Sequence, residues 1–286
     1  MPTPPPTGPL VTRDSLTEQL RALGVRPGEV LLAHTSLSSL GWVNGGPVAA
    51  VQALLDALGP DGTLVVPTQT GDLSDPALWR DPPVPEDWWP RIRATMPAYD
   101  PRTTPSRGVG VIPETVRNWP GAVRSAHPQT SFAAVGPRAA RILDGHAPDC
   151  RLGEHSPLAR LEALHARVLM LGTGYDTCTA FHLAEYRIPA PRVRVGRPAT
   201  GGGWEEVTEV SITSDRFEEL GQDFERDRPV VLRGTVGAAG ARLFPVADAV
   251  AYAERWLAVH RPREEEIQYP AVRVTGDVLR LCHHAK

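Results

Sequence analysis

The apolar positions of this chain keep two periods that take turns along most of its length. Leu16, Leu20 and Leu23 recur at helical spacing, Ser15 and Glu18 read as a capping box, and Gly24 ends the run. Pro27-Gly28 turns the chain into a short apolar strand, Val30–Ala33, and the polar segment 34–39 leads on to a helix from Pro47 to about Leu58. Pro60-Asp61-Gly62 then turns into a second strand, Thr63–Pro67, which completes a βαβ unit. From Thr68 to Arg107 the pattern dissolves into Pro, Asp and Trp. A loop of that length is usually functional or disordered, and Trp79, Trp88 and Trp89 favour order. Alternation then resumes. Helices are expected near Pro113–Arg117, Arg138–Leu143 and Pro157–His165, with strands at Phe132–Val135 and Val168–Leu171. Further strands are expected at Val193–Val195, Glu205–Ile212 and Val230–Val236, and helices at Phe217–Glu225 and Val246–Val259. No linker or internal repeat interrupts the order. A single α/β domain over 12–286 is expected, behind a disordered Pro-rich leader over 1–11.

Composition narrows the function classes. With 286 residues, 41% hydrophobic and 22% charged, the chain has the make-up of a soluble globular protein. A net charge of -3 lacks the basic footprint of a nucleic-acid binder. No apolar run approaches the ~20 residues of a membrane helix, and the first residues show no signal-peptide pattern. Cys150, Cys178 and Cys282 are too few and too scattered for a disulfide framework or a zinc site, so a reducing cytoplasm is the expected location.

Polar clusters follow the predicted strands. After Val168–Leu171, the turn at Gly172-Thr173-Gly174 leads to a short helix that carries His182 and Glu185 on one face. Ligands gather at the carboxyl ends of strands in open α/β sheets, and a histidine there can move a proton near neutral pH. The segment from His34 to Gly41 offers hydroxyls and backbone N–H groups suited to a phosphate or a carbonyl oxygen, without the Gly-Lys-Ser/Thr ending of a Walker loop. From Asp100 to Gly110, Ser106 and Arg107 supply donors for an anion or cap a helix. His127, before a proline, is open between a structural and a functional role. Cys178, four residues before His182, allows an acyl-enzyme alternative, although a free cysteine is more often a small buried hydrophobe. A metal site at His182-x-x-Glu185 lacks a second ligand pair.

Taken in order, four segments closely resemble the aminoglycoside 3-N-acetyltransferase family. They are His34-Thr35-Ser36, Thr104-Pro105-Ser106-Arg107-Gly108, Arg124-Ser125-Ala126-His127-Pro128 and Thr179-Ala180-Phe181-His182-Leu183-Ala184-Glu185. The similarity also takes in Ser131–Pro137, Ser156-Pro157 and Leu169–Gly172, and runs from about Thr12 into the last helix. The resemblance implies a three-layer α/β/α fold with a central mixed sheet, distinct from the GCN5-related acetyltransferase fold. It implies acetyl transfer from acetyl-coenzyme A to the 3-amino group of a 2-deoxystreptamine aminoglycoside, conferring resistance, without a metal. It makes His182 the catalytic base. Glu225 is the expected orienting carboxylate, with Glu218 next, and Glu185 and Asp176 close enough to hold a ring nitrogen or the substrate. Coenzyme contacts are expected from His34, Thr35, Ser36, Leu37, Ser38 and Ser39, and from Ser106, Arg107, Gly108, Val109 and Gly110. Asp72, Asp176 and Glu218 would meet the polycation, Asp72 in an acidic cluster with Asp75, Asp81, Glu86 and Asp87, and Glu218 in one with Glu219, Asp223 and Glu225. The expected partners are the antibiotic and coenzyme A, with neither nucleic acid nor membrane, and the chain as monomer or homodimer. Two other readings stand beside this one. They are an acetyl-coenzyme A-dependent N-acetyltransferase of another small amine and a non-catalytic drug-binding protein, and dependence on the coenzyme separates them.

Overall fold

A computed structural model of the chain describes residues 8–80 and 82–261. Residues 1–7 of the expected leader, Asp81, Cys282 and the stretch 262–286 lie outside the described residues. Val11 is buried and bridges Val43 in parallel, so pairing begins inside the span expected to be leader.

The elements in order are α1 (Arg13–Leu23), β1 (Val30–Thr35), α2 (Gly46–Leu58), β2 (Thr63–Pro67), α3 (Trp89–Thr95), α4 (Val111–Arg117), β3 (Val123–Arg124), β4 (Phe132–Val135), α5 (Ala139–Leu143), α6 (Pro157–Ala163), β5 (Arg167–Leu171), α7 (Phe181–Glu185), β6 (Arg192–Pro198), β7 (Trp204–Val210), α8 (Phe217–Asp227), β8 (Leu232–Val236), β9 (Ala239–Pro245) and α9 (Val246–His260). The cap of α1 is one turn earlier than Ser15 and Glu18 suggest. Thr12 accepts from the Ser15 N–H, and the Ser15 hydroxyl answers the Thr12 N–H, which is the capping-box exchange with serine in the place of glutamate.

Seven strands form one mixed sheet in the order β3-β4-β2-β1-β5-β9-β8, and β6 and β7 form a separate antiparallel ribbon. The middle strands β2, β1 and β5 run parallel, while β4 and β9 flank them antiparallel. The middle strands are apolar at nearly every position because both faces are covered. Val30, Leu32, Val168 and Met170 pack on one side with α5 to α9; Leu31, Ala33, Leu169 and Leu171 pack on the other with α1, α2 and α4. This is the three-layer arrangement that the motifs imply. Sequence and structure part at α3, β3 and β9, which no expected element covers, and at the end of β1. There the pairing runs on through His34 and Thr35, opposite Met170 and Leu171.

The long segment after β2 is ordered by its own polar contacts. Asp75 pairs with Arg93 at 2.7 Å, and Trp79 Nε1 donates to Ser74 at 3.0 Å. Arg124 reaches in to donate to the Thr68 carbonyl at 2.7 Å and covers the ring of Tyr99. The β6–β7 ribbon is fastened by charges taken inside the protein. Arg197 and Glu209 are fully buried; Arg197 pairs with Glu205 at 2.8 Å, and Arg151 pairs with Glu209. His127 lies in this cluster with its Nδ1 accepting from the N–H groups of Gln129 and Thr130, both at 3.1 Å. Its ring packs 4.7 Å from that of His146. His127 is thus part of the frame that holds the ribbon.

Candidate active site

The site grows from the carboxyl ends of β1 and β5. Gly172 follows β5 with φ near +71°, and a Cβ there would stand 2.5 Å from Ser39 Cβ, so only glycine lets the two strand-end loops meet this closely. Ser39 uses the approach to donate to the Gly172 carbonyl at 3.1 Å. The chain then makes a turn over Tyr175–Thr177 and enters α7, all five residues of which are buried.

Within α7, His182 Nδ1 hydrogen-bonds Glu185 Oε2, the contact that i,i+3 spacing permits. The second oxygen, Glu185 Oε1, accepts from the Thr213 N–H at 2.9 Å and from Arg261. With the carboxylate on Nδ1, that nitrogen carries the proton of the neutral ring and Nε2 presents a lone pair. Among the described residues none hydrogen-bonds Nε2. Phe217 closes one side of the imidazole, ring centroids 4.8 Å apart.

His34 comes from the neighbouring strand and points to the same face of the sheet. Its Nε2 lies 3.3 Å from Thr179 Oγ1, and burial together with the nearby His182 pulls its pKa down to about 3. His34 is therefore neutral at physiological pH, a hydrogen-bonding group behind His182 and not a cation for a phosphate. Thr35 Oγ1 is buried without a hydrogen-bond partner, an open donor at the strand end. The serine loop is linked within itself: the Ser36 and Ser39 hydroxyls are 2.9 Å apart, and those of Ser36 and Ser38 are 3.2 Å apart. Leu37 packs against the core on the α1–α2 side.

The second expected coenzyme segment is brought to the first. Gly110, with φ near +87°, faces the Thr35 carbonyl so that an added Cβ would lie 3.6 Å from it. Gly108 also has positive φ, and Val109 stands between the two glycines. Ser106, by contrast, is occupied: its N–H and hydroxyl both donate to Glu114 Oε2, at 2.9 and 2.5 Å. Burial works against the Glu114 charge, but hydrogen bonds from Arg117 and Ser106 outweigh it and bring the pKa down to about 2. The Arg107 N–H donates to the Gln69 carbonyl at 2.7 Å, and its side chain lies 3.4 Å from exposed Asp72. An expected coenzyme contact and an expected substrate contact thus face each other.

The carboxylate expected to orient His182 is elsewhere. Glu225 Oε2 accepts from Tyr175 OH at 3.0 Å and from Arg242 Nε at 2.8 Å, and its Oε1 faces Arg233 at 2.7 Å. Two arginines and a tyrosine claim both oxygens, so Glu225 supports the turn before α7 while Glu185 takes the imidazole. Glu218 Oε2 accepts from the Tyr175 N–H at 2.7 Å. An added Cβ at Gly174 would lie 2.6 Å from Asp176 Oδ1 and 2.9 Å from Glu218 Oε2, which sets two exposed carboxylates side by side at the approach to α7. Cys178 is fully buried, and that burial pushes its thiol up to about 12, so it is no thiolate at neutral pH. A surface cleft of about 880 Å³ lined by Thr17, Arg21, Leu55 and Gly136 contains none of these residues.

Thr179, Thr213 and Arg261 belong to the same constellation and were not singled out in the sequence. Thr179 stands inside a recognised motif. Thr213 and Arg261 are 28 and 76 residues from Glu185, and no spacing rule links them.

Residues 32–258 match the family model for aminoglycoside 3-N-acetyltransferase. The SPbeta prophage-derived aminoglycoside N(3')-acetyltransferase-like protein YokD of Bacillus subtilis (strain 168) is 46% identical over 86% of this chain and 92% of its own. Its crystal structure superposes with a TM-score of 0.86, over 88% of this chain and 95% of that one, at 45% identity. Aminoglycoside N(3)-acetyltransferase VIII of Streptomyces fradiae is 39% identical over 86% of this chain and 92% of its own. A structure described as AAC-IIIb binary with CoASH superposes with a TM-score of 0.74 at 32% identity, over 87% of this chain and 97% of that one.

Proposed function

The chain belongs to the aminoglycoside 3-N-acetyltransferase family, and we propose that it moves an acetyl group directly from acetyl-coenzyme A to the 3-amino group of a 2-deoxystreptamine ring, with His182 as general base. The observation that carries this reading is the His182–Glu185 pair, buried at the sheet's carboxyl end with no described residue hydrogen-bonded to Nε2. An amine is mostly ammonium at neutral pH and is no nucleophile until a proton leaves. His182 Nε2 takes that proton as the nitrogen attacks the thioester carbonyl carbon. The C–N bond forms, the C–S bond breaks, and the leaving thiolate takes that proton back from the His182 imidazolium to give free coenzyme A and the neutral base. Glu185 stabilises the imidazolium meanwhile by accepting from Nδ1.

The coenzyme, a co-substrate, fits the loop that joins β1 to the serines. Thr35 Oγ1 is an orphaned buried donor there, Ser36, Ser38 and Ser39 add hydroxyls on the same loop, and Gly110 lies beside the Thr35 carbonyl. Asp176 and Glu218 suit the cationic acceptor, being exposed carboxylates next to α7. Among the described residues no helix is long and apolar enough to cross a membrane.

The test is thiol release from acetyl-coenzyme A against a panel of aminoglycosides, with NMR of the product to locate the new amide. Release that requires the aminoglycoside and an acetyl group on N3 are expected. Release with another small amine but with no member of the panel would move the substrate to the alternative class, and no release at all would leave a binding protein.

A further inference from the structure

Glu185 has three hydrogen-bond partners, His182, the Thr213 N–H and Arg261, the last just past the end of α9. The Arg261 guanidinium donates Nη1 to Glu185 Oε1 and Nη2 to the Thr213 carbonyl at 2.7 Å. It also lies 5.9 Å from the centre of the Phe217 ring, whose centroid is 4.8 Å from that of His182. One aromatic ring therefore borders both the imidazole and the guanidinium.

The chain invests in holding Arg261 there. Arg216, which precedes α8, has φ near +66°, a conformation that residues other than glycine seldom adopt. From it, Nη1 donates to the His260 carbonyl at 2.7 Å, and the guanidinium lies 5.0 Å from the centre of the Trp256 ring. Trp256 stacks on His260 at 4.1 Å. The residue immediately before Arg261 is thus fixed by a strained residue of another helix, an arrangement found where geometry has a use.

We propose that Arg261 is a positioning residue that sets the basicity of His182 through Glu185. The inference rests on His182 being the base. Glu185 is fully buried, so its charge must be met by a neighbour. With Arg261 present, the carboxylate is half satisfied and needs only a hydrogen bond from Nδ1. Without it, the imidazolium is the one cation left among the hydrogen-bond partners described for Glu185, since Thr213 is a neutral residue. His182 would then hold its proton to higher pH and would be a poorer base near neutrality. The positive charge of Arg261 acts in the same direction by repelling the imidazolium.

The experiment uses the full chain with Arg261→Gln, which removes the charge but keeps a donor, and Arg261→Lys, which keeps the charge but loses the fork. Two readouts are taken: NMR titration of the His182 imidazole, and kcat/KM for the aminoglycoside against pH. For Arg261→Gln the imidazole titration and the acid limb should both move up by about one pH unit. Turnover lost near neutral pH should return on the alkaline side, with KM for acetyl-coenzyme A unchanged. Arg261→Lys should keep the wild-type limb. A Gln variant that loses activity evenly at every pH, with the imidazole titrating as in wild type, would make Arg261 a mere buttress and overturn the proposal. An imidazole that shifts while the limb stays would uphold Arg261 and remove His182 as base. If the Gln variant does not fold, a shifted limb in the Lys variant overturns the proposal and an unshifted one upholds it.

Discussion

Replacing His182 by alanine is expected to lower kcat by ~10²–10⁴-fold, the usual contribution of a positioned base. Calorimetric titration should find acetyl-coenzyme A binding nearly unchanged, because the serine loop and the glycines at 108 and 110 do not depend on that side chain. Glu185→Gln should cost less than His182→Ala, since an amide can still accept from Nδ1 but cannot stabilise the imidazolium charge. Cys178→Ala in parallel should keep most activity: its thiol is buried in the core and pushed up to about 12. Near-normal turnover in His182→Ala would mean that the amine loses its proton by another route.

The second large effect is on stability in acid. Burial holds three of the buried histidines, His34, His127 and His146, well below their ordinary pKa, so they are neutral in the fold. Burial, with the charge of His182 added, brings His34 down to about 3. Burial and the neighbouring His127 bring His146 down to about 3. Burial, with Arg197 and Arg151 close by, holds His127 well below its ordinary value. In the unfolded chain each titrates near ~6.5. The folded state binds fewer protons than the unfolded state between those limits, so the stabilisation is fully present above the unfolded value and is lost as pH falls. Three such groups should cost on the order of 3 kcal/mol between pH 6 and pH 5, a large part of a typical domain's stability. Denaturant unfolding at pH 7, 6 and 5 checks this. His146→Gln, with a neutral amide that can both donate and accept, should remove about a third of the slope. A stability that is flat or rises over that range would show that the histidines are not held neutral.

How far the fold was legible depends on how each strand is buried. β1, β2, β4 and β5 are covered on both faces and read as unbroken apolar runs, so they stand out without any alignment. β9 does not, because Gly240 is exposed and Arg242 is drawn sideways to Glu225, which breaks the run into fragments. The site was legible where one element holds it: His182 and Glu185 are three apart, and helical geometry alone brings them together. It was misread where long-range pairing decides. Nothing in the spacing of Glu225 shows that Arg242, Arg233 and Tyr175 already claim it. Ser106 is a similar case, since its commitment to Glu114 appears only once α4 is folded back over it. Arg261 carries no local pattern at all. Its part follows from the end of α9 arriving beside α7.

Direct transfer is the centre of this account, and intact-protein mass spectrometry tests it most directly. The enzyme is mixed with acetyl-coenzyme A alone, its mass is recorded, and an aminoglycoside is then added. The account predicts an unmodified protein before the acceptor arrives, and acetylated antibiotic with free coenzyme A only afterwards. A protein heavier by one acetyl group before the acceptor is present, and discharged by it, would mean an acyl-enzyme and contradict the role given to His182.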